Sequence, residues 1–171
     1  EGRITITASH NAKAGKALKL LNAKGEFGSA DDGAQILAYV DQDDYNFAEV
    51  DDLGSYETFD YAIDLHIDKI LALPLVNDKK KKKKNFKVAI DAVNSTGGIA
   101  IPKLLERLNV VHYDMYCEPN GQFPHNPEPL KEHLGDICAK VIAEKADFGI
   151  VVDPDVDRLA IIDEKGEMFG E

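Results

Sequence analysis

The chain has 171 residues, 44% of them apolar, enough for one sizeable hydrophobic core or two small ones. A formal charge of -11 argues against nucleic acid or an anionic membrane as partner, since both are bound by clustered cationic side chains. No run approaches the roughly 18 to 20 continuous apolar residues of a membrane helix, and the first residues lack the basic-then-apolar order of a secretion signal, so a soluble cytoplasmic protein is expected.

In chain order, Arg3 to Ala8 alternates β-branched and small residues as a strand does, and it runs into a polar loop, Ser9-His10-Asn11. Ala30 to Val40 opens with acidic residues suited to a helix N-terminus and continues with Ile36, Leu37 and Val40. Tyr61 to Leu73 repeats Ile63, Ile67, Ile70 and Leu71 at helical spacing. Six lysines then follow, Lys79 to Lys84, a self-repelling stretch read as a solvated linker. It sets the expected domain boundary: residues 1–78 as the later part of a first domain, 79–84 as linker, 85–171 as a second domain. A single predicted strand in the first part has nothing to pair with, so that domain reads as truncated.

Beyond the lysines the pattern becomes regular. An apolar strand, Phe86 to Ile90, is followed by a turn at Asn94 to Gly98 and a helix from Ile99 to Leu108. A second strand, Val110 to Cys117, leads through a loop rich in proline (Pro119, Pro124, Pro127, Pro129) to a helix from Leu130 to Lys145. Strands Phe148 to Val152 and Leu159 to Asp163 flank a tight acidic loop, and Gly166 to Gly170 reads as the turn after the last of them. Strands alternating with helices imply an α/β fold of two βα domains, each with a mostly parallel sheet and covering helices, the first domain truncated. Ligands of such sheets gather beyond the carboxyl ends of the strands, where both polar loops lie.

The acidic loop reads Asp153-Pro154-Asp155-Val156-Asp157-Arg158. Three carboxylates at alternate positions repel one another on a regular strand, but a loop lets them curl around a cation. Hard oxygen ligands suit magnesium, and Arg158 adds a planar donor fork for a phosphate. A solvated acidic turn is the plainer reading, because Asp and Pro favour turns anywhere. The position directly after a buried strand favours the metal. A calcium loop of the EF-hand kind is disfavoured by the flanking strands and by arginine, not glycine, at the sixth position.

In the serine loop, Ser9 is suited to carry a phosphoryl group, with His10 and a nearby lysine such as Lys19 handling protons and charge. Alone, that loop is better read as a polar turn closing a strand. Together, TASHN at residues 7 to 11 and DPDVDR at residues 153 to 158 resemble the α-D-phosphohexomutases, whose active serine lies in T-A/S-S-H-N-P and whose magnesium loop reads D-G-D-x-D-R. Ala17-Leu18-Lys19, Asp91 to Gly98 (DAVNSTGG) and Asp163-Glu164-Lys165-Gly166 extend the match over nearly the whole chain. Three departures stand out: Ala12 for the usual proline, Lys16 where asparagine is common, and Pro154 for the usual glycine. Proline at 154 fixes φ near -65° and removes a donor, which harms the loop if a positive φ is needed there.

The resemblance implies a phosphoserine at Ser9, magnesium on Asp153, Asp155, Asp157 and a phosphoserine oxygen, a phosphate clamp at Arg158, and Lys19 or His10 acting on a sugar hydroxyl. The implied substrate is a hexose phosphate, its 1- and 6-phosphates interconverted through a bisphosphate. It also implies third and fourth domains that read the sugar and bind its phosphate, so the fragment alone is expected to turn over little. Oligomeric state is left open.

Two other readings compete. In a haloacid-dehalogenase-like phosphatase, Asp153 would be the nucleophile and Asp155 the general acid; a non-catalytic module would keep the fold without turnover. His125 and His133 lack a third ligand at metal spacing and read as surface or packing residues, as do Tyr113, Tyr116 and Phe123. Cys117 and Cys138 lack CxxC spacing and read as reduced, packed thiols.

Overall fold

The structure, a computed structural model, describes residues 2–8, 17–42, 46–76 and 85–170. The chain divides into two compact units, residues 1–6 with 18–60 and residues 7–17 with 61–171.

In the first unit, strands β1 (Arg3–Thr7) and β2 (Ala17–Leu21) pair in a two-stranded sheet. Sequence patterning predicts only β1. In β2 the expected alternation is inverted: Leu18 and Leu20 are 65% and 36% exposed while Lys19 is half-buried, so polarity does not mark the inward face. After β2 the chain turns at Asn22, whose side-chain Oδ1 accepts from the amides of Lys24 and Glu26 at 2.9 and 3.1 Å. Helix α1 (Ala30–Asp41) starts with a reciprocal cap: Ser29 Oγ accepts from the Asp32 amide at 3.1 Å, and Asp32 Oδ2 accepts from the Ser29 amide at 2.7 Å. None of its described residues is buried.

The second unit is built on a five-stranded sheet. Strands β3 (Lys87–Asp91), β4 (Val111–Met115) and β5 (Phe148–Val152) run parallel with β3 in the middle. β6 (Leu159–Ile162) pairs antiparallel with β5, and β7 (Met168–Gly170) pairs antiparallel with β6, giving the order β4-β3-β5-β6-β7. The switch to antiparallel follows from chain length: the loop between β5 and β6 is too short for the dozen or so residues of a parallel crossover. The segment expected to be only a turn after β6 divides in two. Asp163 to Glu167 forms the turn, closed by the Asp163 amide on Glu167 O at 2.8 Å, and β7 follows as a short edge strand.

Helices cover both faces. α3 (Gly97–Arg107) lies over Val88, Ile90 and Val152 through Leu105 and Ile101, while α4 (Gly135–Glu144) lies over Ala89, Val151, Ala160 and Ile162 through Ile137 and Val141. Successive β3 residues thus feed opposite layers, as a doubly covered strand requires, and each fully buried Val, Leu or Ile contributes roughly 1.5–3 kcal/mol. Helix α2 (Ala62–Leu71) buries Ile67 and ion-pairs with α3, Asp64 to Lys103 at 2.9 Å and Asp68 to Arg107 at 2.7 Å. The lysine run, expected as the linker, lies outside the described residues; the helix that precedes it groups with the part that follows it.

Two features fix the ends of the parallel strands. Gly98 touches the end of β4: a Cβ there would fall 2.1 Å from Cys117 O, so only hydrogen fits. The loop from β4 to α4 is pinned by His125, whose Nε2 lies 2.9 Å from Asp91 Oδ2 and whose Nδ1 lies 2.7 Å from Asn126 O. Asp91 is 1% exposed and also accepts the Val93 amide at 3.0 Å. With an acceptor at each ring nitrogen, the imidazolium is favoured, and the hydrogen bond to Asp91 raises the His125 pKa above its ordinary value although burial opposes it.

Gly98→Ala should lower the urea-unfolding free energy of the chain by about 2 kcal/mol or more, because the added methyl meets rigid backbone and the helix start must shift. A raised histidine pKa stabilises the fold fully below the unfolded value of about 6.5, and that contribution fades as pH rises through the folded value. Unfolding free energies measured from about pH 6 to about pH 8.5 should therefore decline less steeply in His125→Gln than in the parent chain.

Candidate functional site

Parallel pairing of β3 with β5 sets their carboxyl ends side by side, and the chain leaves both ends through unusual backbone. Val93, Asn94, Tyr116 and Val156 all have positive φ, at 46°, 54°, 52° and 62°. For the β-branched Val93 and Val156 this conformation is costly, and four positive-φ residues at the ends of three adjacent strands mark a site over-determined by its surroundings. The Asn94 amide donates to Tyr116 O at 2.6 Å, and Asn94 O accepts from the Gly121 amide at 3.0 Å, which joins the turn after β3 to the loop after β4.

The acidic loop stands at the end of β5. One carboxylate oxygen from each of Asp153, Asp155 and Asp157 lies within 4.8 Å of the others, the first buried, the second half-buried, the third exposed. Asp153 organises the loop from within: its Oδ1 accepts the amides of Asp157 and Arg158, each at 3.1 Å, and its backbone O accepts the Val156 amide at 3.2 Å. Its Oδ2 is buried and meets no hydrogen-bond donor. Burial raises the Asp153 pKa, the Arg158 amide opposes the rise, and the charges of Asp155 and Asp157 add to it. A buried carboxylate oxygen without a donor, next to two more carboxylates, is a group that could hold a cation. The donor set is all oxygen and fits a hard divalent ion.

Pro154 does not disturb this arrangement. The left-handed residue of the loop is Val156, two positions later, so no positive φ is asked of the proline. Arg158 Nη1 donates to Glu128 Oε1 at 2.7 Å, and Glu128 is itself placed by its amide on Asn126 Oδ1 at 3.1 Å and by His133 Nδ1 near its carbonyl at 3.0 Å. The loop rich in proline therefore reaches the guanidinium expected to clamp phosphate.

Of the residues predicted for the site, the structure gathers Asp153, Asp155 and Asp157, with Arg158 next in the chain. Lys19 stands on β2 in the other unit, and Ser9 and His10, like Ala12 and Lys16, lie outside the described residues. Thr96 stands at the N-cap position of α3, but its hydroxyl makes no capping bond and donates instead to Pro154 O, as does that of Ser95. Sequence reasoning does not find Ser95, Glu128 or the Asp91 partner of His125. Their contacts span 59, 30 and 34 residues, beyond the reach of local pattern.

Comparison with known proteins adds an independent line. Residues 64–166 match a family profile described as phosphoglucomutase/phosphomannomutase, alpha/beta/alpha domain II. A relative from Methanosphaera stadtmanae, named "Probable phosphoglucosamine mutase", is 31% identical over 96% of this chain and 36% of its own length. A phosphoglucomutase/phosphomannomutase from Thermococcus kodakarensis is 32% identical over 99% of this chain and 37% of its own. Among solved structures, a phosphoglucomutase/phosphomannomutase family protein from Burkholderia thailandensis superposes with a TM-score of 0.80 at 26% identity, covering 98% of this chain and 34% of that one. The chain thus spans little more than a third of the relatives it matches, and the phosphatase reading of Asp153 is not favoured. With the profile over most of the second unit and the acidic triad at the strand end it covers, the chain belongs to the phosphoglucomutase/phosphomannomutase family.

Proposed function

We propose that this chain supplies the serine loop and metal loop of a phosphohexomutase that interconverts hexose 1-phosphate and hexose 6-phosphate. The observation that carries the reading is the buried Asp153 Oδ2, which meets no donor and belongs to a triad of carboxylates in a chain of this family. Asp153, Asp155 and Asp157 would hold the ion, and magnesium suits their hard oxygen donors and keeps room for a phosphate oxygen. When bound, the ion supplies neutralisation of the charge that spreads over a phosphoryl group in transfer.

The chain's own residues carry the rest. Ser9 Oγ bears the phosphoryl group; as its bond to phosphorus breaks, a sugar hydroxyl forms the new bond and gives its proton to His10 or Lys19. The resulting bisphosphate returns its other phosphate to Ser9, which restores the phosphoserine and releases the isomer. Arg158, one of whose five donors goes to Glu128, orients a phosphate. The remaining domains that select the sugar belong to the part of such a protein not spanned here, so the hexose itself, glucose, mannose or glucosamine, is decided there. We place the protein in the cytoplasm, a compartment in which unpaired thiols such as Cys117 and Cys138 stay reduced.

The complete gene product, assayed with magnesium on glucose 1-phosphate, mannose 1-phosphate and glucosamine 6-phosphate, should interconvert at least one of them. Ser9→Ala should lose at least about a thousandfold in kcat/KM and the phosphate seen by mass spectrometry on the serine-loop peptide. Equal turnover in that variant removes Ser9 from the role, and an aspartyl phosphate on Asp153 would restore the phosphatase reading. Asp155→Asn should weaken magnesium activation about tenfold to a hundredfold, read as a rise in the magnesium concentration at half-maximal rate.

A further inference from the structure

Three carboxylates gathered within 4.8 Å repel one another, and a loop that carries them should spread unless something outside it holds it. The Asp153 hydrogen bonds pin the loop from within. A second set of contacts comes from the turn that enters α3.

Ser95 Oγ donates to Pro154 O at 2.8 Å, and Thr96 Oγ1 donates to the same oxygen at 2.7 Å. A carbonyl oxygen has two lone pairs, so the two hydroxyls satisfy it fully. Pro154 is buried, and its carbonyl lies in the peptide that joins it to Asp155. The next residue, Gly97, presses on the flanks of the same loop. A Cβ there would fall 2.5 Å from Val152 Cγ2, the residue before the first aspartate, and 3.5 Å from Val156 Cγ2, the residue before the last. Three consecutive residues therefore meet the loop just before its first carboxylate and in each of the two intervals between successive carboxylates, the second of them at Val156, whose φ is 62°.

We infer that Ser95, Thr96 and Gly97 are positioning residues of the metal loop, holding the carboxylates together in the ion-free protein so that little rearrangement is needed when a divalent cation binds. The inference rests on the reading of Asp153, Asp155 and Asp157 as ligands. It adds that affinity depends on two hydroxyls which never touch the ion. Because both serve one oxygen, their effects are not independent. Losing one leaves Pro154 O with a donor; losing both leaves a buried acceptor with none, so the double loss exceeds the two single losses combined.

The test is manganese(II) binding to the 171-residue chain, followed by the loss of the free-ion EPR signal, beside urea unfolding of the same proteins without metal. Ser95→Ala and Thr96→Val should each weaken binding about twofold to threefold, and the double variant roughly tenfold to a hundredfold, the range seen when partners that orient metal ligands are lost. Thr96→Ser, which keeps the hydroxyl, should bind as the parent does. A double variant less stable than the parent yet equal in manganese affinity would show that the hydroxyls only pack the fold, and would overturn the inference. If the double variant does not fold, parental affinity in both single variants overturns it equally. A parent chain that binds no manganese overturns the metal reading of the loop as well, whereas binding by the parent with unchanged variants rejects the positioning role alone.

Discussion

Repulsion among three carboxylates at the end of one buried strand is the constraint around which the second unit is arranged. Charge of one sign gathered at a partly buried place is unfavourable without compensating contacts. The contacts around it are backbone donors directed at Asp153 Oδ1, hydroxyls directed at Pro154 O, and the closely packed start of α3. None of these contacts would exist without the parallel pairing of β3 and β5, which sets the turn after one strand beside the loop after the other.

The same sheet explains how distant parts of the chain reach the site. The β4 end delivers the loop rich in proline, whose His125 is drawn in by Asp91 at the β3 end and whose Glu128 meets Arg158. A buried ion pair is weak evidence for stability in general, yet this one ties the loop to the β3 end beside the bonds of Asn94 to Gly121 and Gln122. Its value lies in geometry: the strand ends, the acidic loop and the guanidinium become one connected surface.

Much of this was legible in the sequence because the second unit obeys simple rules. β5 is an uninterrupted apolar run, as a doubly covered strand should be, and the acidic residues begin where it stops. The βα alternation made the α/β class readable before any coordinates, and the two loop motifs made the family readable. What escaped was governed by tertiary contact. β2 carries its leucines outward, so its polarity gives the wrong face, and β7 is too short to stand out from a turn. His125 read as an ordinary packing histidine because Asp91, the residue that raises its pKa, is remote in the chain. The Thr96 hydroxyl, at the start of α3, takes its acceptor across the sheet end at Pro154 O, a contact no local pattern predicts. The concern over Pro154 also dissolved in tertiary detail, since the strained position belongs to Val156.

That substitution has a further consequence, on the side of the unfolded chain. Where the family usually places glycine, this loop has proline at 154, which restricts the conformations open to a disordered backbone. Relative to a glycine there, fewer arrangements are surrendered when Pro154 becomes ordered, a difference on the order of 0.4–1 kcal/mol in favour of the native state. The acidic loop is thus rigid by covalent constitution as well as by its neighbours.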